Sequence, residues 1–239
     1  MFFPAGTGGV QGDVTDLTGD SGENVYREIA ETYDKAAIAV EWKGPLLVFG
    51  LMSDCIRPDQ TILDIGIGTG LGSEPFFREG LRIYGMDISS SMLEVCQKKE
   101  ISACLVLHDL TQFPYPFGDG SIDHAISTGV FHFFPDLDMI FHEVARILPD
   151  GGRFAFITGD RRPEEPAGII AGPEQTGTGG SVTMYCHTLG QVTCWLVKNG
   201  FRVAGSVEFT IWMDEQHTKE FPARAYLAEK SSPIHEELR

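Results

Sequence analysis

Positive charge is scarce in this 239-residue sequence: 18 Lys and Arg stand against 34 Asp and Glu, a formal charge of -16. Nucleic-acid binders gain affinity by setting Lys and Arg against phosphates. So acidic a surface argues against a nucleic-acid partner and favours small or cationic ones. Long apolar runs are missing too. The longest, near residues 45–52, is too short to span a bilayer, and the opening stretch lacks the basic and apolar regions of a signal peptide. A cytoplasmic protein with no membrane partner is the expectation. The five cysteines, at 55, 96, 104, 186 and 194, form no CxxC pair, which predicts reduced, mostly buried thiols. Neither a GxxxxGK[ST] loop nor a GxSxG elbow occurs, which removes two common phosphate and nucleophile chemistries. No metal is expected: His142-Glu143 opens a zinc helix, but position 146 is Arg146, and Cys186, His187 and Cys194 lack paired ligand spacing.

What is present suits a globular chain: 42% apolar residues, 22% charged ones and 28 glycines. Residues 1–21, rich in Gly, Asp and Thr, read as a flexible arm, and residues 22–239 as a single domain. Helical spacing of Val25, Ile29, Ala30, Tyr33 and Ala37 predicts a helix over 23–39, followed by a second over 45–55. Strands then alternate with helices in the βαβ manner. Strands are expected at 61–65, 82–86, 105–108, 122–127, 153–158, 201–207 and 223–229, and helices at 70–79, 90–99, 137–148 and 189–199. The implied fold is α/β: a doubly wound, seven-stranded, mostly parallel sheet with N-terminal helices. Residues 159–187, rich in Gly, Pro and Glu, read as a long loop on the substrate side.

The most informative segment is Asp64-Ile65-Gly66-Ile67-Gly68-Thr69-Gly70, between the first strand and its helix. A nucleotide or nucleoside cofactor needs a tight turn there, with glycines where its backbone comes close. The GxGxxG spacing of nicotinamide enzymes fails, because Leu71 and Ser73 stand where its last glycine would fall. The next strand ends in Asp87-Ile88, and a carboxylate about 20 residues past the glycines is placed to grip ribose hydroxyls. Taken alone, Asp87 reads equally well as a charge stabilised at a helix N-terminus.

The pattern Asp-x-Gly-x-Gly-x-Gly, with Asp87, His108-Asp109-Leu110 and the run 140–158 (IFHEVARILPDGGRFAFIT), resembles class I S-adenosylmethionine-dependent methyltransferases, the methyltransferase type 11 group. Tyr33-Asp34 with Glu41-Trp42-Lys43-Gly44-Pro45 is also similar to the Williams-Beuren syndrome-associated methyltransferase family. The resemblance covers about residues 25–158. It implies S-adenosylmethionine as cofactor, with Asp64, Gly66, Gly68 and Gly70 around its methionine part, Asp87 and Ile88 at the ribose, and Asp109 and Leu110 at the adenine. Tyr33, on a helix folding over the cofactor, is a further contact.

Loops at the carboxyl ends of parallel strands face the ligand crevice, so Thr128 and the residues up to Phe134 should line a methyl-transfer pocket. Histidine titrates near neutrality, which makes His132 the candidate base or substrate contact. A packed, hydrogen-bonded His132 among phenylalanines is the competing reading. The function expected is methyl transfer to a small-molecule acceptor by in-line displacement. A non-catalytic cofactor-binding protein and, further off, a nicotinamide-dependent oxidoreductase are the alternatives.

Overall fold

The computed structural model describes residues 29–171 and 182–231. The expected arm at 1–21, and Val25 and Tyr26, lie outside the described residues. The helix expected over 23–39 is seen from Ile29 as a 3-10 turn, Ala30–Thr32, running into α1 (Tyr33–Ala39). Next comes α2 (Gly44–Met52), started by Pro45, whose fixed φ and missing N–H suit a first helical turn.

Five parallel strands follow in the order β3 (Ser102–Leu107), β2 (Arg82–Asp87), β1 (Thr61–Ile65), β4 (His124–Ser127), β5 (Arg153–Asp160). Every residue of β1 and β4 is buried, as expected where helices cover both faces of a parallel sheet. The chain winds outward from β1 to β3 and then crosses back to β4, so the order reverses between β1 and β4 and opens a crevice at their carboxyl ends. Beyond β5 the sheet continues with β9 (Glu220–Lys230), antiparallel to β5, and β8 (Phe201–Trp212), antiparallel to β9.

One face of the sheet, carrying Ile62, Ile83, Ile126 and Ile157, packs with Val48 and Met52 of α2, Phe76 of α3 (Glu74–Arg78) and Cys96 of α4 (Ser90–Lys98). The other, carrying Leu63, Ile65, Phe154 and Phe156, packs with α5 (Asp138–Ile147) and α6 (Leu189–Lys198). Helix α5 buries Ile140, Phe141, Val144 and Ile147, an apolar stripe at helical spacing. Ser89 caps α4 by accepting the Met92 N–H, and Thr188 with Gln191 forms a capping box on α6.

All seven expected strands are present, and the structure adds two. The segment read as a loop contains β6 (Gly168–Ala171) and β7 (Val182–His187), an antiparallel pair. Glycine and proline around these strands hide them in the sequence, but β7 alternates buried and half-buried residues as a strand should. The Ser127–Phe156 pair is the last between β4 and β5, and Cys186 and His187 of β7 then pair with Gly159 and Asp160. The hairpin thus extends the sheet above β4. Helix α3 begins at Glu74 rather than residue 70, since Pro75 favours the first turn and the glycines before it adopt left-handed φ. All five cysteines are free, but only Cys96 and Cys186 are buried; Cys55 is half-buried, and Cys104 and Cys194 are exposed, contrary to the expected burial.

Candidate cofactor and acceptor site

The turn after β1 is shaped by three left-handed glycines, with φ of 72° at Gly66, 54° at Gly68 and 85° at Gly70. Only glycine takes such angles without strain. A Cβ on Gly66 would lie 2.9 Å from Val130, and one on Gly70 2.8 Å from the Cys96 sulfur, so both are also held by packing. Gly68 differs: nothing lies within 4 Å of where its Cβ would be. Its open side leaves the backbone approachable to a ligand. The fourth glycine, Gly72, was not singled out from the sequence. A Cβ there would sit 2.7 Å from the Thr128 hydroxyl, and its place in the continuing DIGIGTGLG run was the available signal.

Two carboxylates flank this turn. Asp87, at the end of β2, accepts the Gly68 N–H on Oδ2 at 2.8 Å and the Ser89 N–H on Oδ1 at 3.0 Å, which fixes it against the glycine backbone. Asp64 is buried at the end of β1. Its Oδ2 accepts the Ser73 hydroxyl at 2.7 Å, and its Oδ1 is buried with no partner. Burial pushes the Asp64 carboxyl up to about 7, and Asp87 adds to the rise, while the Ser73 bond opposes it.

The crevice is lined by Gly66, Gly68, Thr69, Asp87 and Thr128 on the sheet side and by Tyr33 and Trp42 on the other, and its free volume is about 30 Å³. Trp42, on the connection between α1 and α2, was not assigned a role from the sequence. Burial raises the Tyr33 phenol well above its usual value, so it stays protonated. Asp64 and Gly70 stand outside the lining. So do three other expected contacts. Ile88 packs against the buried cluster of Ile29, Ala30, Met92 and Val182. Asp109 accepts the Thr111 N–H and hydroxyl, both at 2.8 Å. Leu110 is buried, its carbonyl accepting the Tyr115 hydroxyl at 3.1 Å.

His132 lies in the 3-10 turn Phe131–Phe133 beyond β4, 4% exposed, with its Nε2 buried and unpartnered. Its ring is 4.1 Å from Phe133 and 6.1 Å from Phe221, centroid to centroid. Burial holds the imidazole well below its usual range, so it is neutral at neutral pH. Of the neighbouring phenylalanines, Phe131 belongs to the deep core and Phe133 packs against the cluster of Ile29, Ala30, Met92 and Val182.

The sequence considered His187 only as a metal ligand. In the structure it is buried, with Nε2 3.0 Å from the Phe134 carbonyl and Nδ1 2.7 Å from the Thr158 hydroxyl. A carbonyl only accepts, so Nε2 donates and Nδ1 accepts from Thr158. His187 thereby ties the end of β7 to the segment after His132.

Residues 63–156 match the family of the Methyltransferase domain, Methyltransf_11. This stretch of the chain is similar to a methyltransferase domain. A malonyl-[acyl-carrier protein] O-methyltransferase of Serratia marcescens is 30% identical over 135 residues, covering 56% of this chain and 51% of that protein. The 18S rRNA (guanine(1575)-N(7))-methyltransferase of Saccharomyces cerevisiae is 28% identical over 141 residues, covering 54% and 51%. The chain therefore spans about half the length of these curated relatives. The chain also shares its fold with the magnesium protoporphyrin IX methyltransferase of Synechocystis PCC 6803 with bound SAM, at a TM-score of 0.56 and 19% identity over 93% of this chain and 87% of that one. These matches do not single out the narrower Williams-Beuren group.

The residues around the glycine turn would fit S-adenosylmethionine on two observations: the orphaned Asp64 Oδ1 and the open approach to Gly68. Among the described residues no helix is long and apolar enough to cross a membrane.

Proposed function

We propose that this protein transfers a methyl group to a small, neutral acceptor bearing an O–H or N–H, with His132 as the base or substrate contact. When bound, S-adenosylmethionine supplies the electrophilic methyl on its sulfonium. The protein's own work is to align the acceptor and exclude water. Asp64, through its free Oδ1, would hold the cofactor's ammonium, and the backbone of Gly66, Gly68 and Gly70 its methionine end. Asp87 and Ile88 would meet the ribose, Asp109 and Leu110 the adenine, and Tyr33 and Thr128 would close the site. A cytoplasmic setting, with residues 159–187 on the acceptor side, belongs to the same reading.

The observation that carries the acceptor class is His132 itself. A neutral imidazole with an unpartnered Nε2 between Phe133 and Phe221 can take a proton from a hydroxyl or amine. It offers no charge to a phosphate or carboxylate. No Lys or Arg is among the described residues that line the crevice, and the chain's charge of -16 argues the same way.

The test is calorimetry with S-adenosylhomocysteine and NAD, followed by mass-spectrometric assay of neutral phenols and amines, carboxylic acids and an 18S rRNA fragment. Methylation confined to the neutral compounds is expected. Preferred transfer to RNA or to carboxylates would overturn the acceptor class. Binding of S-adenosylhomocysteine without transfer to any of them would favour the non-catalytic reading, and binding of NAD alone would revive the oxidoreductase.

A further inference from the structure

Tyr33 roofs the cofactor crevice, and the next residue, Asp34, is where that roof is fastened. Both oxygens of its carboxylate are engaged: Oδ1 accepts the Thr69 hydroxyl at 2.5 Å, and Oδ2 meets the Lys99 ammonium at 2.5 Å. Lys99 also reaches Glu74 at 3.1 Å. One side chain of α1 thus joins three places on the floor: the glycine turn, the end of α4 and the start of α3. The Asp34 and Lys99 side chains are 30% and 21% exposed, so water and salt screen them less than a surface pair. A second charged tie among the described residues, Glu31 to Lys98 at 2.7 Å, is 73% and 64% exposed and holds far less.

Under the clasped roof only about 30 Å³ is free, against roughly 300–1,000 Å³ for a small-molecule site. A ligand of nucleoside size does not fit in the crevice with α1 in this position. The floor beneath is sheet and glycine turn, fixed by ladder bonds and by the Gly68–Asp87 contact. The roof is therefore the part that must give way.

We propose that Asp34 is a positioning residue whose clasp on Thr69 and Lys99 holds α1 over the crevice and sets the rate at which the cofactor and its spent form exchange. The proposal rests on the crevice being the cofactor site. Breaking the clasp frees entry and exit alike, so both rates rise while affinity changes little.

The experiment is stopped-flow binding of S-adenosylhomocysteine, followed by intrinsic tryptophan fluorescence, to the full chain and to Asp34→Ala, with calorimetric affinity and melting temperature measured on both. Association and dissociation should each speed up roughly tenfold in the variant, the loss of about one charge-assisted hydrogen bond, with Kd changed by less than about threefold. In the unmutated protein both rates should climb as salt is raised from about 0.05 to about 0.5 M, and in Asp34→Ala they should stay nearly flat. If Asp34→Ala does not fold, Lys99→Met and the salt series read the same clasp. Unchanged rates overturn the proposal, as does a loss of affinity in step with a lower melting temperature, which marks a merely structural residue. If the unmutated protein fails to bind S-adenosylhomocysteine at all, the assignment of the crevice falls instead, and this proposal with it.

Discussion

The glycine-turn side of the site and the histidine side each leave one buried polar atom unsatisfied, Asp64 Oδ1 and His132 Nε2, and the two atoms are of opposite character. Asp64 is a carboxylate whose titration is pushed up to about 7. It sits near the point of charging, so a cation beside it would draw it into the ionised form. His132 is an imidazole pushed the other way, and it stays neutral. A buried polar group without a partner costs roughly 1–3 kcal/mol. Two such costs, neither of them among the residues that line the crevice, point to partners supplied by ligands: a positive group on the first side and a neutral proton donor on the second.

The largest expected effect comes from removing the second partner. His132→Ala should slow methyl transfer by roughly 10²–10⁴-fold, the usual worth of a general base. The affinity for S-adenosylhomocysteine should hold within about twofold. Initial rates and calorimetry on the same preparation separate the two. If transfer survives intact, His132 is a packing residue and the contrast between the two sides collapses to a single functional group.

Asp64→Asn breaks the other side. Losing a charged acceptor should weaken S-adenosylhomocysteine binding by about 2 kcal/mol, roughly 30-fold. In the unmutated protein affinity should rise as pH rises through about 7, because Asp64 ionises there, and the variant should lose that step. Stability of the ligand-free protein runs in the opposite direction. A carboxyl raised on folding favours the protonated folded state, so its contribution is fully present below about pH 4 and is lost as pH rises through about 7. Asp64→Asn should therefore be the more stable of the two at pH 8. Melting curves across pH 4 to 8 check this, and parallel curves would refute the assignment.

How much of this was legible in the sequence differs between the two sides for a physical reason. On the turn side, φ above zero demands glycine and a strand end demands its carboxylate, so Gly66, Gly68, Gly70, Asp64 and Asp87 stand close together in the chain and declare themselves. The parallel strands were equally readable from their apolar runs. On the other side the contacts are long-range. His187 meets Thr158 and Phe134 across 29 and 53 residues, and no spacing rule links them. The β6–β7 hairpin is hidden among glycines and prolines, and Trp42 and Asp34 gain their roles only when α1 folds over the turn. Glu143, which begins like a zinc motif, instead accepts the Tyr115 N–H and pairs with Arg146.

His187→Leu is the smaller test on the histidine side. It strands the Thr158 hydroxyl and the Phe134 carbonyl, at a cost of about 2 kcal/mol in stability. His187→Gln, which can still donate to Phe134, should recover part of that. Both should bind S-adenosylhomocysteine normally, since His187 touches neither the glycine turn nor its carboxylates. Denaturant titration with calorimetry is the check, and a cofactor defect equal to that of Asp64→Asn would show that the two sides are not separable.

The finest distinction lies within the turn itself. Gly66→Ala forces a Cβ to 2.9 Å from Val130 at a φ of 72° and should cost about 2 kcal/mol of stability, strain and contact together. Gly68→Ala meets only the strain of its 54° φ, about 1 kcal/mol, because its Cβ enters open space. On the proposed reading a ligand approaches from that space, so the milder fold mutant should bind S-adenosylhomocysteine at least tenfold more weakly, about 1.4 kcal/mol. A stability loss from Gly68→Ala larger than from Gly66→Ala, with binding intact, would mean that Gly68 serves the turn and not the cofactor.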